Sequence, residues 1–475
     1  MDGILQLRGK SPGLVSVRYV SGRASSRPQS WGTVTEMKTS LYVVLAIASL
    51  CVNVGCRSSG SVGKIAEPVS PAEIAAIETF LGLASPAERD KVLTKEPGGH
   101  VIAIDLTRTL PAEADLAKLA DLPYLERAWL GIPEAVNNTS IRHVVGLKRL
   151  RQLDLEASSV SDEGVAALRE MSALEDINLK RTGIGNDAFR TLAEMPGILR
   201  IRAAQTQISD EALAHLRTKT NLVVLDCRDT QLSDDGMAHL AGLTNLVDLK
   251  VWGPAITDAG MEHLGQLKAL KVLSLQDTSV SDAGLAHLKD CVELEQLVLF
   301  RTQAGDDGMG TLAGLKQLKK LDLRGTSVSD DGMAHLAQLQ KLSDLDLSET
   351  IVGNAGLAHL KALPQLDTLN LWATRVGDAG MEHVAAMQRL KWLNLDNVRY
   401  PDEDVYLTDK GVEQIVKLPD LEWLHLGKTQ VSDAALKLLA GLPKLKHLEV
   451  TFCERVTPGG VEELKKALPA LEVVY

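Results

Sequence analysis

The sequence predicts an α/β solenoid, a stack of about fifteen strand-turn-helix units sharing one open parallel sheet. Three observations carry this. The motif L-x-x-L-x-L returns every 24 residues, with first positions at Leu150, Leu174, Ile198, Leu222, Leu246, Leu270, Leu294, Leu318, Leu342, Leu366 and Leu390. Within each unit the apolar period changes from 2 to about 3.6, so a strand is followed by a helix. Finally, 45% of residues are hydrophobic but only 3% aromatic, so the apolar mass is mainly Leu, Ala, Val and Ile. That composition excludes intrinsic disorder and a disulfide scaffold. A 475-residue chain would ordinarily suggest about three domains, but the repetition overrides that division.

Residues 1–36 carry Arg8, Arg18, Arg23 and Arg27 without periodicity and read as a non-native or disordered extension, with translation starting at Met37. The apolar run Leu41 to Val54 is too short to span a bilayer, which takes about 20 residues, and reads as a signal peptide over 37–56. Val54-Gly55-Cys56 resembles a bacterial lipoprotein processing site, although Asn53 stands where that pattern has Leu. Lipidation of Cys56 would anchor the body to a membrane surface without spanning it. The Ser- and Gly-rich stretch 57–70 is a flexible tether. Pro71 to Leu83 and Pro86 to Leu93 predict short helices within a cap, 71–100, that closes the apolar end of the stack, since terminal repeats need caps. Ser70 to Leu81 weakly resembles the start of an F-box, but the rest of that pattern is missing.

The repeat domain spans 101–475, its frame running back through Leu125 to Val101 and forward, after a seven-residue insertion, to Leu421, Leu445 and Leu471. In the unit from Leu270, Leu273 and Leu275 point inward from a strand. Val280 fills the turn, and Leu285 and Leu288 share one helical face. In the ten units starting at 150 to 366, the residue twelve after the first Leu is Asp eight times and Asn twice. It marks a helix start, where the preceding Ser or Thr accepts amide protons and the acid suits the helix dipole. Nine of those ten units place Ser or Thr eight after the first Leu, where a hydroxyl can bond the exposed turn backbone in each layer, forming a ladder.

With these motifs the chain resembles leucine-rich repeat proteins, and the Thr-x-Val-Ser-Asp-x-Gly-Leu variant is similar to bacterial repeat proteins and to the ribonuclease-inhibitor-like type. Leu448, Val450, Cys453, Val456, Thr457 and Gly460 resemble the cysteine-containing repeats that follow F-box segments in ubiquitin-ligase receptors. The resemblance implies a horseshoe with the sheet on its concave face and ligands bound on that face or on loops rising from it.

The candidate site is aromatic. Trp129, Trp252, Trp372, Trp392 and Trp423 fall on strand positions that alternate away from the core, and Phe300 and Phe452 are expected to project with them. Tryptophan and tyrosine are favoured anchors at interfaces. Trp372, Trp392 and Trp423 are expected to form one groove beside the insertion, which carries Tyr400, Asp402, Glu403, Asp404 and Tyr406. Rings that merely stack on each other to cover the sheet are the alternative. Lys180, Arg181, Arg200, Arg202, Arg228 and Lys250 form a second cluster, either an anion patch or, with Asp176, Asp226, Asp229 and Asp248 interleaved, a solvated mixed-charge face. His143, His215, His239, His263, His287, His335, His359 and His383 share one helical position. A metal ladder among them fails on distance, because adjacent helices lie about 8–10 Å apart whereas each nitrogen must approach a zinc ion to about 2.1 Å. Cys227, Cys291 and Cys453 fall in separate turns and read as small buried apolar residues.

No phosphate loop, nucleophile elbow, zinc-protease motif or cofactor fingerprint is present, so the sequence points away from an enzyme and from a bound cofactor or metal. The chain has a net charge of −11, and beyond residue 55 the balance is 45 basic to 60 acidic residues, which argues against nucleic acid. The expectation is a non-enzymatic cell-envelope protein, lipid-anchored or secreted, that binds a protein or peptide. The alternatives are a glycan ligand, an F-box-like adaptor and a structural spacer.

Overall fold

The structure, a computed structural model, describes residues 68–397 and 406–475. Residues 67–475 form one compact unit. The leader, Cys56, Tyr400 and the acidic residues of the insertion lie outside the described residues.

Helix α1 (Pro71–Leu83) begins with proline in its first turn, where no amide partner is needed, and with Ser70 Oγ accepting from the Glu73 amide at 3.1 Å. Ala76, Ile77 and Phe80 are buried against the first repeat. Glu73 is buried as well, and its carboxylate contacts His100 Nδ1 at 2.8 Å and accepts the Val101 amide at 3.0 Å. The second helix is shorter than its apolar pattern predicts, covering only Arg89–Val92. From there the chain becomes β1 (Leu93–Lys95), antiparallel to β2 (Val101–Asp105). A parallel sheet that started at β2 would leave a bare row of amides and carbonyls on its first edge. Pairing Leu93 to Lys95 there satisfies that edge.

From β2 onward every pairing is parallel, through β3 (Arg127–Trp129) to the last strand, Glu472–Val474, making a 17-stranded open sheet with β1. Equivalent residues of successive repeats face one another, as in the row Leu273, Leu297, Leu321, Leu345, Leu369, Leu393, Leu424 and Leu448. Each of these leucines is 0% exposed. A single continuous core therefore runs the length of the stack, and no repeat could bury its leucines alone.

Three devices shape the layers, and two of them tie one layer to the next; the first bonds the turn backbone as the sequence suggested but forms no ladder between layers. The turn threonines are largely buried and donate to the carbonyl three residues earlier in their own turn, as from Thr278 to Leu275 and from Thr326 to Leu323, both at 2.6 Å, whereas the buried Ser158 hydroxyl makes no such bond. These bonds close each turn upon itself and do not link neighbouring layers.

The second device is the aspartate at the helix start, which caps the next repeat's helix. Asp306 Oδ1 accepts the Ser329 amide at 2.8 Å and the Gly332 amide at 3.0 Å, while Oδ2 accepts the Ser329 hydroxyl at 2.5 Å. Asp234 and Asp378 do the same for the layers that follow them. The glycine two residues after each aspartate in Asp-x-Gly is thereby explained. A Cβ on Gly332 would stand 2.5 Å from Asp306 Oδ1, inside contact distance.

The third device is a left-handed backbone position. All ten non-glycine residues with positive φ among the described residues, from Ala157 to Phe452, stand seven after the first Leu of a repeat, with φ between 52° and 61°. Such a residue costs roughly 1 kcal/mol. It turns the chain out of the strand while its amide still donates to the next layer, as from Asp277 to Phe300 O and from Arg301 to Arg324 O, both at 2.8 Å.

Candidate binding face

Strands of three to five residues place their alternate side chains outward from the sheet, and the parallel register lines these up in rows. The aromatics fall into two groups on this face, not the single groove expected. Trp392 and Trp423 are cross-strand partners, and the same row continues to His447 and Glu472. Trp372 stands four residues further along its unit than Trp392 does, beyond the end of its own strand, Thr368–Asn370. Arg324 lies between rings, its guanidinium 4.8 Å from the Phe300 centroid and 4.9 Å from that of Trp372, with Glu349 pairing it at 2.9 Å. Stacking on that guanidinium draws Trp372 toward Phe300.

The remaining predicted aromatics stay apart. Trp252 follows the strand Asp248–Val251 and is half-buried, and Trp129 lies under Arg127. Phe452 is not on a strand. It occupies the left-handed turn position and is 79% exposed. Tyr406 lines a cavity of about 300 Å³ together with Asn397, Leu407, Lys428 and Arg455.

Sequence reasoning missed the histidines of the sheet. Trp423 stacks on His447 with ring centroids 4.6 Å apart, Trp392 lies 5.4 Å from His425, and the two imidazoles are 5.5 Å apart. His425 Nδ1 meets Glu449 Oε2 at 3.0 Å, and His447 Nδ1 meets Glu472 Oε2 at 3.4 Å. Burial holds the His425 imidazole below its ordinary value, against the pull of Glu449. Burial also pushes the nearby Asp396 carboxyl up to about 6, although the Gly427 amide bonds it and lowers it, with the charge of Glu449 adding to the rise. The signal was present in the sequence, since both histidines occupy outward strand positions in adjacent repeats. The longer helical series drew attention away from them.

Toward the N-terminal half the same face is charged and internally paired. Arg228 grips Asp226 through Nε at 2.9 Å and a terminal nitrogen at 2.8 Å, Lys180 reaches Asp226 at 3.3 Å, and Lys250 reaches Asp248 at 3.5 Å. Arg202 pairs with Asp176, and Arg181 with Glu156 at 2.6 Å. Arg200 joins them on the outward side of the same strand as Arg202. Burial alone would raise the Asp226 carboxyl, but Arg228, Lys180 and Lys250 pull it down to about 2. Most of the positive charge of this patch is thus already matched by carboxylates of the chain.

Of the helical histidines, His215, His239, His263 and His383 are half-buried and His287, His335 and His359 exposed. Cys227, Cys291 and Cys453 are free thiols buried in the core. Among the described residues no helix is long and apolar enough to cross a membrane.

The family model for a leucine-rich repeat region matches residues 201–467, more than half of the chain. The chain belongs to the leucine-rich repeat family. Among solved structures it is similar to a leucine-rich repeat protein of Leptospira interrogans, at 18% identity and a TM-score of 0.50, covering 78% of this chain and 95% of that one. It also matches an internalin of Listeria monocytogenes, at 17% identity and a TM-score of 0.49, covering 87% and 98%. A third match is the ectodomain of an Arabidopsis receptor kinase in complex with a peptide hormone, at 15% identity and a TM-score of 0.48, covering 85% and 76%. These likenesses are of fold. No curated protein matches the chain in sequence.

Proposed function

We propose that this protein is a non-enzymatic binding protein of the cell envelope, secreted or anchored through Cys56, that holds a protein or peptide against its sheet face. The observation that carries the reading is the C-terminal end of that face. Trp392 and Trp423 lie side by side there, with Trp423 41% exposed, in a row continued by His447 and Glu472. A large aromatic costs free energy in water and gains it when a partner covers it, which is why such rings serve as anchors. Glu449 and Glu472, on the strands that follow, add negative charge to this end of the face, so the ligand it suits is a peptide segment with basic side chains flanking an apolar one. The leader, Leu41 to Val54 followed by Cys56, supports an envelope location.

The test is capture from envelope extract by the protein and by a Trp392→Ala, Trp423→Ala variant of unchanged circular dichroism, followed by titration of the captured partner's basic segment as a synthetic peptide. Saturable peptide binding that weakens more than about tenfold in the variant supports the reading. Equal binding by both proteins removes these rings from recognition. A captured glycan in place of a peptide, or capture of nothing by either protein, overturns the peptide ligand.

A further inference from the structure

His425, His447 and Glu449 stand on two adjacent strands, Trp423–His425 and His447–Glu449, and each offers a ligand atom within 4.8 Å of the other two. It is the one such trio among the described residues. We propose that these three side chains bind a divalent transition-metal ion, of which zinc is the natural example, on the outward face of the sheet.

Donor type, spacing and support agree with this. Two imidazole nitrogens and one carboxylate oxygen make a donor set typical of zinc, nickel and cobalt. Ligand atoms about 2.1 Å from a tetrahedral ion lie about 3.4 Å from one another. The trio therefore closes on an ion by rotations that move its atoms by about 1.5 Å or less. His425 and Glu449 already meet at 3.0 Å. The groups behind the ligands are those that usually orient a metal-bound histidine. Glu472 holds Nδ1 of His447, leaving Nε2 to the ion, and the Trp423 ring stacked on His447 limits its rotation. Hydrogen-bonded strands fix the backbone of every ligand.

Three protein ligands leave a fourth position open toward solvent. That position opens beside Trp392 and Trp423, where a carboxylate or imidazole of a bound partner could complete the shell. The ion needs no partner in order to bind, so failure of peptide capture and failure of metal binding are separate results. The helical histidines contribute no such site, because they sit one per layer without a carboxylate held between them.

The experiment is calorimetric titration of zinc into chelator-treated protein, compared with His425→Ala, His447→Ala and Glu449→Gln, and with His359→Ala as the control on an exposed helix. The expected result is one ion per chain with micromolar affinity, weakened more than about tenfold by each of the three site substitutions and unchanged by the control. A second readout guards against loss of folding. Stoichiometric copper(II) should quench tryptophan fluorescence in the parent, and the quenching should fall sharply in Trp423→Phe, whose ligands are intact. Absence of one-to-one binding, or binding that survives both histidine substitutions, overturns the assignment.

Discussion

Replacing Asp306 with alanine tests whether the aspartate row couples one repeat to the next. Asp306 belongs to the helix Asp306–Leu312, yet its oxygens accept two amides and a hydroxyl at the start of the helix Asp330–Leu336. A hydrogen bond to a charged group contributes about 1.5–3 kcal/mol, less where water can replace the lost acceptor. The site is half-buried, so the three donors recover part of that energy, and the net loss comes to about 3 kcal/mol. Asp307, its exposed neighbour at the same helix terminus, makes no such bonds, and its removal forfeits only the dipole contribution of about 0.5 kcal/mol. Urea unfolding of the parent, Asp306→Ala and Asp307→Ala measures the difference directly. Amide exchange gives the local reading: Ser329 and Gly332 should lose about a hundredfold of their protection in Asp306→Ala, and little in Asp307→Ala. Equal stability of the two variants, or unchanged exchange at Ser329 and Gly332, would refute interlayer capping by this carboxylate.

Gly332→Ala leaves the aspartate in place but drives a methyl group against it, so unfolding at lower urea is expected, by about 1–3 kcal/mol. Glu73→Ala strips the buried partner from His100 and the Val101 amide, with an expected cost of about 3 kcal/mol, seen as early melting of the N-terminal cap in hydrogen exchange. Asp322 provides the pH test. Burial pushes its carboxyl up to about 6, with the charge of Asp346 adding to the rise, so the folded protein binds a proton that the unfolded chain releases near 4. Its contribution to stability is therefore most favourable at or below pH 4 and declines as the pH rises toward 6 and beyond. Asp322→Asn should stabilise the protein by about 2 kcal/mol at pH 7 and leave it unchanged at pH 4 by urea titration, the opposite sign to loss of a paired carboxylate. Asn370 and Asn394 already occupy the equivalent position in two other repeats.

Of the candidate site, the outward positions of Trp392 and Trp423 were legible because a period of two assigns each strand residue to one side. Their neighbours were legible only in part. Trp372 shares the outward side but not the patch, because it stands four residues further along its unit, which the repeat frame already contains; what no spacing announces is its stacking with Phe300 on Arg324. The histidine pair required knowing that Glu449 and Glu472 come to hold it. Those are contacts between residues 24 and 25 apart.

Alone, the order of residues determined the repeat length, the sequence of strand, turn and helix, the identity of the buried leucines and the parallel stacking. Each of these follows from periodicity and from the need of every unit to cover an apolar edge. The turn threonines and the serines and threonines before each helix bond as their positions suggested, but only the tertiary structure decided what the aspartates and the left-handed residues do. Asp306 looks from its own segment like a cap for its own helix, and the stack turns it to the next one. Residues such as Asp277 and Arg301 carry no sequence mark of a left-handed backbone, and they adopt it because their amides must meet the carbonyls of the following layer. Leucines within one unit reveal their role through local spacing, whereas these polar groups take their partners from another turn of the solenoid.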